Sequence, residues 1–128
     1  MANAIAAQGE KLGFGLDDQN YAVPGYTTGD VLTDIRQNGR VFAGTSFNTI
    51  GVTEAIANAD LITLDAGAND FLALFNLVDY SVDTAQIPVR LAEIGSNTAT
   101  ILATIEAINP TAKVYLMGYK SYALDGNN

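Results

Sequence analysis

Two hydrophobic periods alternate along the chain, one typical of β-strands and one typical of α-helices. Residues 60–66, Asp-Leu-Ile-Thr-Leu-Asp-Ala, have the period of a short buried strand with Ile62, Leu64 and Ala66 on one side. Residues 113–119, Lys-Val-Tyr-Leu-Met-Gly-Tyr, are rich in β-branched and aromatic side chains and predict a second strand. Helical patterns separate the strand patterns, which indicates an α/β protein with a parallel sheet and right-handed crossovers.

The longest helical pattern covers residues 84–108, where apolar residues recur at alternating steps of four and three. Pro88 falls near its first turn, where proline is tolerated, and Asn109-Pro110 ends it. We expect the helix to pack on the sheet through one stripe: Leu91, Ile94, Ile101 and Ile105.

Shorter patterns fill the rest of the chain. The predicted helices cover residues 2–12, 27–39, 49–58 and 71–77, and a polar edge strand covers residues 17–23. Pro24-Gly25 predicts a turn after that strand, residues 44–47 and 79–84 predict loops, and residues 121–128 a ragged end. The length allows one domain with one core, which we place at residues 1–128.

Gly67-Ala68-Asn69-Asp70 joins the strand at 60–66 to the next helix and has two interpretations. The structural one is that Gly67 adopts a positive φ while Asn69 or Asp70 caps the helix that follows. The functional one is that the Asn69 amide donates a hydrogen bond to a developing oxyanion, since ligands of open α/β sheets bind at the carboxyl edge of the strands.

Composition narrows the possible partners. Fourteen acidic and six basic residues give a net charge of −8, which argues against nucleic acid and anionic membranes as partners. No stretch approaches the roughly 20 apolar residues of a membrane span. The start, Met-Ala-Asn-Ala-Ile, lacks the basic region of a signal peptide, so localisation stays open.

The chain has neither cysteine nor histidine. A disulfide, a thiolate metal site and a Ser-His-Asp or Cys-His catalytic system therefore cannot be completed within it. Asp65 and Asp70 are isolated carboxylates at a turn, so we predict no metal and no cofactor.

Three motifs, taken in order, resemble one family. They are Asn20-Tyr21-Ala22-Val23-Pro24-Gly25, then Gly67-Ala68-Asn69-Asp70, then Asn109-Pro110-Thr111-Ala112-Lys113-Val114 leading to Gly118-Tyr119. Together they resemble the second block, the third block and the next helix-strand unit of the GDSL esterases and lipases, the SGNH hydrolase family. The resemblance extends from Asn20 to about Tyr119.

The resemblance implies a three-layer α/β/α, flavodoxin-like fold and an acyl-ester hydrolase with an activated serine. By motif position it also implies that the backbone N–H of Gly25 and the side chain of Asn69 belong to the oxyanion hole. The residue chemistry agrees, because glycine permits close approach to its N–H and asparagine offers an uncharged donor.

Two blocks of the family have no counterpart here. The Gly-Asp-Ser-Leu-like nucleophile block and the Asp-x-x-His block are absent, and none of the four serines stands in the nucleophile's context: Ser46, Ser81, Ser96 and Ser121. We therefore expect this chain alone to be inactive. The missing first strand would leave two strand edges open, which predicts self-association. The alternative hypothesis is a non-catalytic α/β module for binding or assembly.

Overall fold

The computed structural model describes residues 19–38 and 50–117. The elements, in chain order, are α1 (Thr28–Arg36), α2 (Val52–Asn58), β1 (Leu61–Leu64), α3 (Ala68–Leu72), a 3₁₀ turn (Thr84–Gln86), α4 (Ile87–Ile108) and β2 (Lys113–Leu116). The predictions for residues 2–12, 44–47 and 121–128 lie outside the described residues.

β1 and β2 form a parallel pair in which Leu61 lies opposite Lys113 and Leu64 opposite Leu116. The crossover between them contains α3 and α4. This confirms the predicted α/β class with parallel strands from the regions 60–66 and 113–119. Both strands are four residues long, shorter than the predicted seven-residue segments.

The predicted strand at 17–23 is wrong over residues 19–23, which form no strand. An edge strand needs a neighbour to complete its hydrogen-bond ladder. Tyr21 instead donates from its hydroxyl to the carbonyl oxygen of Ile50 at 2.5 Å. Ile50 lies two residues before α2, so this bond connects the segment to the chain that leads into α2. Residues 17 and 18 lie outside the described part of the chain.

The core lies on one face of the two strands. Its buried members come from three helices and pack against partly buried side chains of the sheet: Leu32, Ile35, Ile56, Ile101 and Ile105, with Ile62, Leu64 and Val114. On the other face Leu61 and Tyr115 are 43% and 59% exposed, and the end of β2 is open on the core face too, since Leu116 is 48% exposed. The alternation predicted for residues 60–66 is therefore confirmed for Ile62 and Leu64.

The predicted stripe of the long helix is correct in its second half and wrong at Leu91. Ile101 and Ile105 are 0% and 2% exposed and Ile94 is half-buried, whereas Leu91 is 51% exposed. The cause is length, since 22 helical residues span about 33 Å but a four-residue strand spans only about 13 Å. The first turns of α4 therefore extend beyond the sheet.

The helix predicted at 71–77 is also displaced. α3 ends at Leu72, and the chain then turns back so that Phe75 pairs with Val82 in an antiparallel bridge. Backbone bonds from Asn76 N to Ser81 O and from Asp83 N to Leu74 O close this turn. Because those bonds use the backbone groups that a continued helix would need, the helix stops early.

Hydrogen bonds of the Asn109 side chain connect the end of α4 to the end of α2. Its Nδ2 lies within hydrogen-bond distance of three carbonyl oxygens, those of Ile56, Ala57 and Ala59, while its Oδ1 accepts from the backbone N–H groups of Thr111 and Ala112. The predicted helix end at Asn109-Pro110 is confirmed, and the asparagine also positions the turn into β2.

Candidate functional site: the junction of two turns

The first segment of the candidate site is a tight turn before α1. Tyr26 N donates to Val23 O at 3.2 Å, with Pro24 and Gly25 in the central positions. Gly25 has φ of +86°, the conformation that the third residue of a type II turn requires and that glycine adopts without strain. The turn predicted at Pro24-Gly25 is confirmed.

The start of α1 follows this turn at once. Thr27 is the N-cap, and its side chain accepts from Asp30 N at 3.2 Å while Asp30 Oδ2 accepts from Thr27 N at 3.0 Å. This reciprocal capping box fixes the direction in which the chain enters the helix. The predicted helix start is confirmed.

The second segment is the turn between β1 and α3. Gly67 has φ of +121° and is itself the N-cap residue of α3, with no side-chain cap hydrogen bond. The interpretation of Asn69 or Asp70 as caps of their own helix is therefore wrong. Both residues lie in the first turn of α3, and both side chains bond to residues of the other segment.

Asn69 forms the first link between the two segments. Its Nδ2 donates to the carbonyl oxygen of Tyr26 at 2.9 Å, one residue after Gly25 in the chain. A carboxamide nitrogen carries two N–H groups, and within residues 19–38 and 50–117 the structure gives this nitrogen a single acceptor. Gly25 and Asn69, the two residues predicted for the oxyanion hole, are thus on segments that touch.

Asp70 forms the second link and was not predicted as a site residue. Its carboxylate is 3% exposed; Oδ2 accepts from Thr28 N at 2.9 Å and Oδ1 accepts from Thr28 Oγ1 at 2.7 Å. Thr28 is the first residue of α1, so the buried charge lies at the positive end of that helix. The acidic residue thus caps a neighbouring helix from 42 positions away in sequence.

Asn97 of α4 adds a third element to the junction. Its Nδ2 donates to Thr28 Oγ1 at 3.1 Å. Sequence reasoning missed this contact, although a signal was available: Asn97 lies three residues after Ile94 and four before Ile101, on the apolar stripe of the helix. A polar residue in such a position requires a hydrogen-bond partner.

The described structure has two further features, a groove and a tyrosine with a shifted pKa. A groove of about 300 Å³ separates the second half of α4 from β2, and its lining includes Ile105, Glu106, Pro110 and Val114.

The pKa of the Tyr21 hydroxyl is raised above its ordinary value, mainly by burial and then by the negative charge of Glu54.

Within residues 19–38 and 50–117, no three acidic side chains lie close enough together to hold a metal ion. None of the helices in these ranges combines the length and the apolar character needed to cross a bilayer.

Comparison of the chain with protein-family models, with curated proteins and with solved structures gave no match.

Proposed function

We propose that this chain carries two oxyanion-binding donors of an SGNH-type acyl-ester hydrolase: the N–H of Gly25 and the side-chain amide of Asn69. The observation that supports the proposal is the hydrogen bond from Asn69 Nδ2 to Tyr26 O, at 2.9 Å. This bond holds the amide against the residue that follows Gly25, so that both donors belong to one small region.

The chemistry of such a site follows from the donors. When a nucleophile attacks an ester, the carbonyl oxygen becomes an alkoxide, and fixed uncharged donors stabilise that charge more than they stabilise the neutral carbonyl. The Asn69 amide has a second N–H for this purpose, and Gly25 has no side chain to block the approach. The proposal requires a nucleophilic serine and a base from outside this sequence, because the sequence contains no histidine.

The alternative function is a non-catalytic module for assembly, and one surface favours it. At the tip of the turn after α3, Leu77, Val78 and Tyr80 are 81%, 91% and 85% exposed. Large apolar side chains grouped in this way are typical of interaction surfaces. A concentration-dependent dimer in sedimentation that Val78→Asp abolishes and Asn69→Ala does not would favour this alternative.

The coding sequence on either side of this one gives the first test. The hydrolase proposal expects a Gly-Asp-Ser-Leu-like block upstream and an Asp-x-x-His block downstream. The present chain alone should not react with a fluorophosphonate probe. A polypeptide that contains this chain together with the upstream and downstream blocks, called the joined polypeptide below, should be labelled at the serine of the upstream block. Labelling of a serine in this chain, or absence of both blocks, would contradict the proposal.

The second test is Asn69→Ala in the joined polypeptide. We expect kcat to fall by ~10²–10³-fold with KM little changed, because the amide acts mainly on the charge of the transition state. The control for the same residue change is Asn76→Ala, where the side chain accepts a local bond of equal length, from Val78 N at 2.9 Å, outside the junction. Equal kcat values for the two variants, per folded molecule, would exclude Asn69 from the reaction.

A further inference from the structure

Three helices meet at the hydroxyl group of Thr28. This side chain is fully buried, with 0% exposure, and its Oγ1 contacts Asp70 at the start of α3 and Asn97 in the middle of α4. Thr28 itself opens α1. One hydroxyl group therefore connects α1, α3 and α4.

The direction of both hydrogen bonds is determined by the partners. An ionised carboxylate only accepts, and a carboxamide nitrogen only donates. The hydroxyl proton of Thr28 must therefore point to Asp70 Oδ1, which leaves the oxygen lone pairs to accept from Asn97 Nδ2. A threonine or serine hydroxyl can fill both roles at once, whereas the methyl group of valine can fill neither.

This network is next to the proposed donors on both chain segments. Thr28 is three residues after Gly25, and Asp70 directly follows Asn69. Three hydrogen bonds join the same two segments: one from Asn69 to Tyr26 and two from Thr28 to Asp70. Without the hydroxyl bond, Asp70 would keep a single bond to Thr28, from the backbone N–H, and its carboxylate could rotate about it. The hydroxyl bond therefore fixes the orientation of Asp70 relative to the start of α1.

We propose that Thr28 is a positioning residue of the oxyanion site, which acts through Asp70 and Asn97 to set the separation between the Gly25 N–H and the Asn69 amide. The inference rests on the proposed function, because it assigns to Thr28 the geometry of that same donor pair. Thr28 itself touches no reacting atom.

The test uses the full chain and methylphosphonate as a tetrahedral oxyanion probe. Two-dimensional ¹H–¹⁵N NMR follows the Gly25 amide and the Asn69 side-chain amide while the probe is added. Both signals of the unaltered chain should shift together. Thr28→Val should weaken probe binding about tenfold, the equivalent of one hydrogen bond, whereas Thr28→Ser, which keeps the hydroxyl, should bind within about twofold of the unaltered chain.

The matched control is Thr53→Val. The hydroxyl of Thr53 also makes a partly buried bond between two elements, to Ile35 O at 2.6 Å, but it lies at the other end of α1. This variant should lose stability and still bind the probe normally. Equal weakening by Thr28→Val and Thr53→Val would mean that only general stability was lost, and would overturn the positioning role.

Two further outcomes separate the two proposals. If the unaltered chain gives no shift at either donor, the oxyanion pair itself fails and the role of Thr28 fails with it. If the unaltered chain binds and Thr28→Val binds equally well, only the positioning role is overturned. Should Thr28→Val not fold, Asp70→Asn decides, because it removes one of the two bonds between Thr28 and Asp70 and leaves Gly25 and Asn69 in place; unchanged binding would then count against the role.

Discussion

Replacement of Asp70 by asparagine removes one acceptor from a buried group that now satisfies two donors. Thr28 supplies both donors, from its backbone N at 2.9 Å and from its hydroxyl at 2.7 Å. Asp70→Asn keeps the shape of the side chain, and its one remaining oxygen pairs with the backbone N–H of Thr28, which can only donate, so its NH₂ group faces the Thr28 hydroxyl. One charge-assisted bond is lost and a buried donor remains unpaired.

The magnitude follows from two opposing effects. A hydrogen bond to a charged group contributes about 1.5–3 kcal/mol, and an unpaired buried donor costs about 1–3 kcal/mol. The loss of the charge acts in the opposite direction, because the 3%-exposed carboxylate no longer has to be kept out of water. We therefore expect Asp70→Asn to lower the free energy of unfolding by about 2–4 kcal/mol.

Urea unfolding followed by circular dichroism measures this loss. The exposed Asp83→Asn is the control for the same chemical change and should stay within about 0.5 kcal/mol of the unaltered chain. A double-mutant cycle with Thr28→Val should give a coupling energy of about 1–2 kcal/mol, since both changes remove the same hydroxyl bond. Losses that add to within about 0.5 kcal/mol would refute the reasoning, because independent sites behave in that way.

Two other predictions concern the core and the segment before the first turn. Ile101→Ala should cost about 2–5 kcal/mol in the same unfolding assay because the side chain is fully buried, while Val78→Ala, at a 91%-exposed position, should cost almost nothing. The tyrosinate absorbance of Tyr21, obtained as the difference between the unaltered chain and Tyr21→Phe, should titrate above pH 10.0, because burial and Glu54 raise its pKa. A titration at or below pH 10.0 would contradict this assignment. Because the pKa is raised on folding, the stability that the neutral hydroxyl contributes is present below the unfolded pKa and is lost as pH rises through the folded pKa.

Local sequence signals predicted the elements whose causes are themselves local. The start of α1 at Thr27, the turn at Pro24-Gly25 and the end of α4 at Asn109 each depend on residues a few positions apart. The contact of Ile62 and Leu64 with the core likewise follows from a single strand with one face toward the helices. Such features need no knowledge of the rest of the chain.

The errors arose where another segment competes for the same backbone groups or where the packing partner ends early. The apolar residues from 71 to 77 have helical spacing, but the backbone of Leu74 and Asn76 bonds to residues 81–83 instead. Leu91 has the correct spacing for a buried stripe, and only the length of the strands determines that it lies beyond the sheet. Spacing gives the face of a helix but not the extent of its partner.

The pair Asn69-Asp70 shows why the candidate site could be predicted only in part. In sequence, both residues are good caps for the helix that they open, and they are also the polar pair of a hydrolase motif. Gly67 occupies the cap position with a positive φ, and this makes Asn69 and Asp70 the second and third residues of the helix, where their side chains reach Tyr26 and Thr28. A cap residue forms a hydrogen bond with a free backbone N–H of its own helix. This pair instead forms hydrogen bonds with a carbonyl group and an N–H group of another segment. The two polar side chains therefore stabilise the junction between the segments, and that junction is where the Gly25 and Asn69 donors would have to act together.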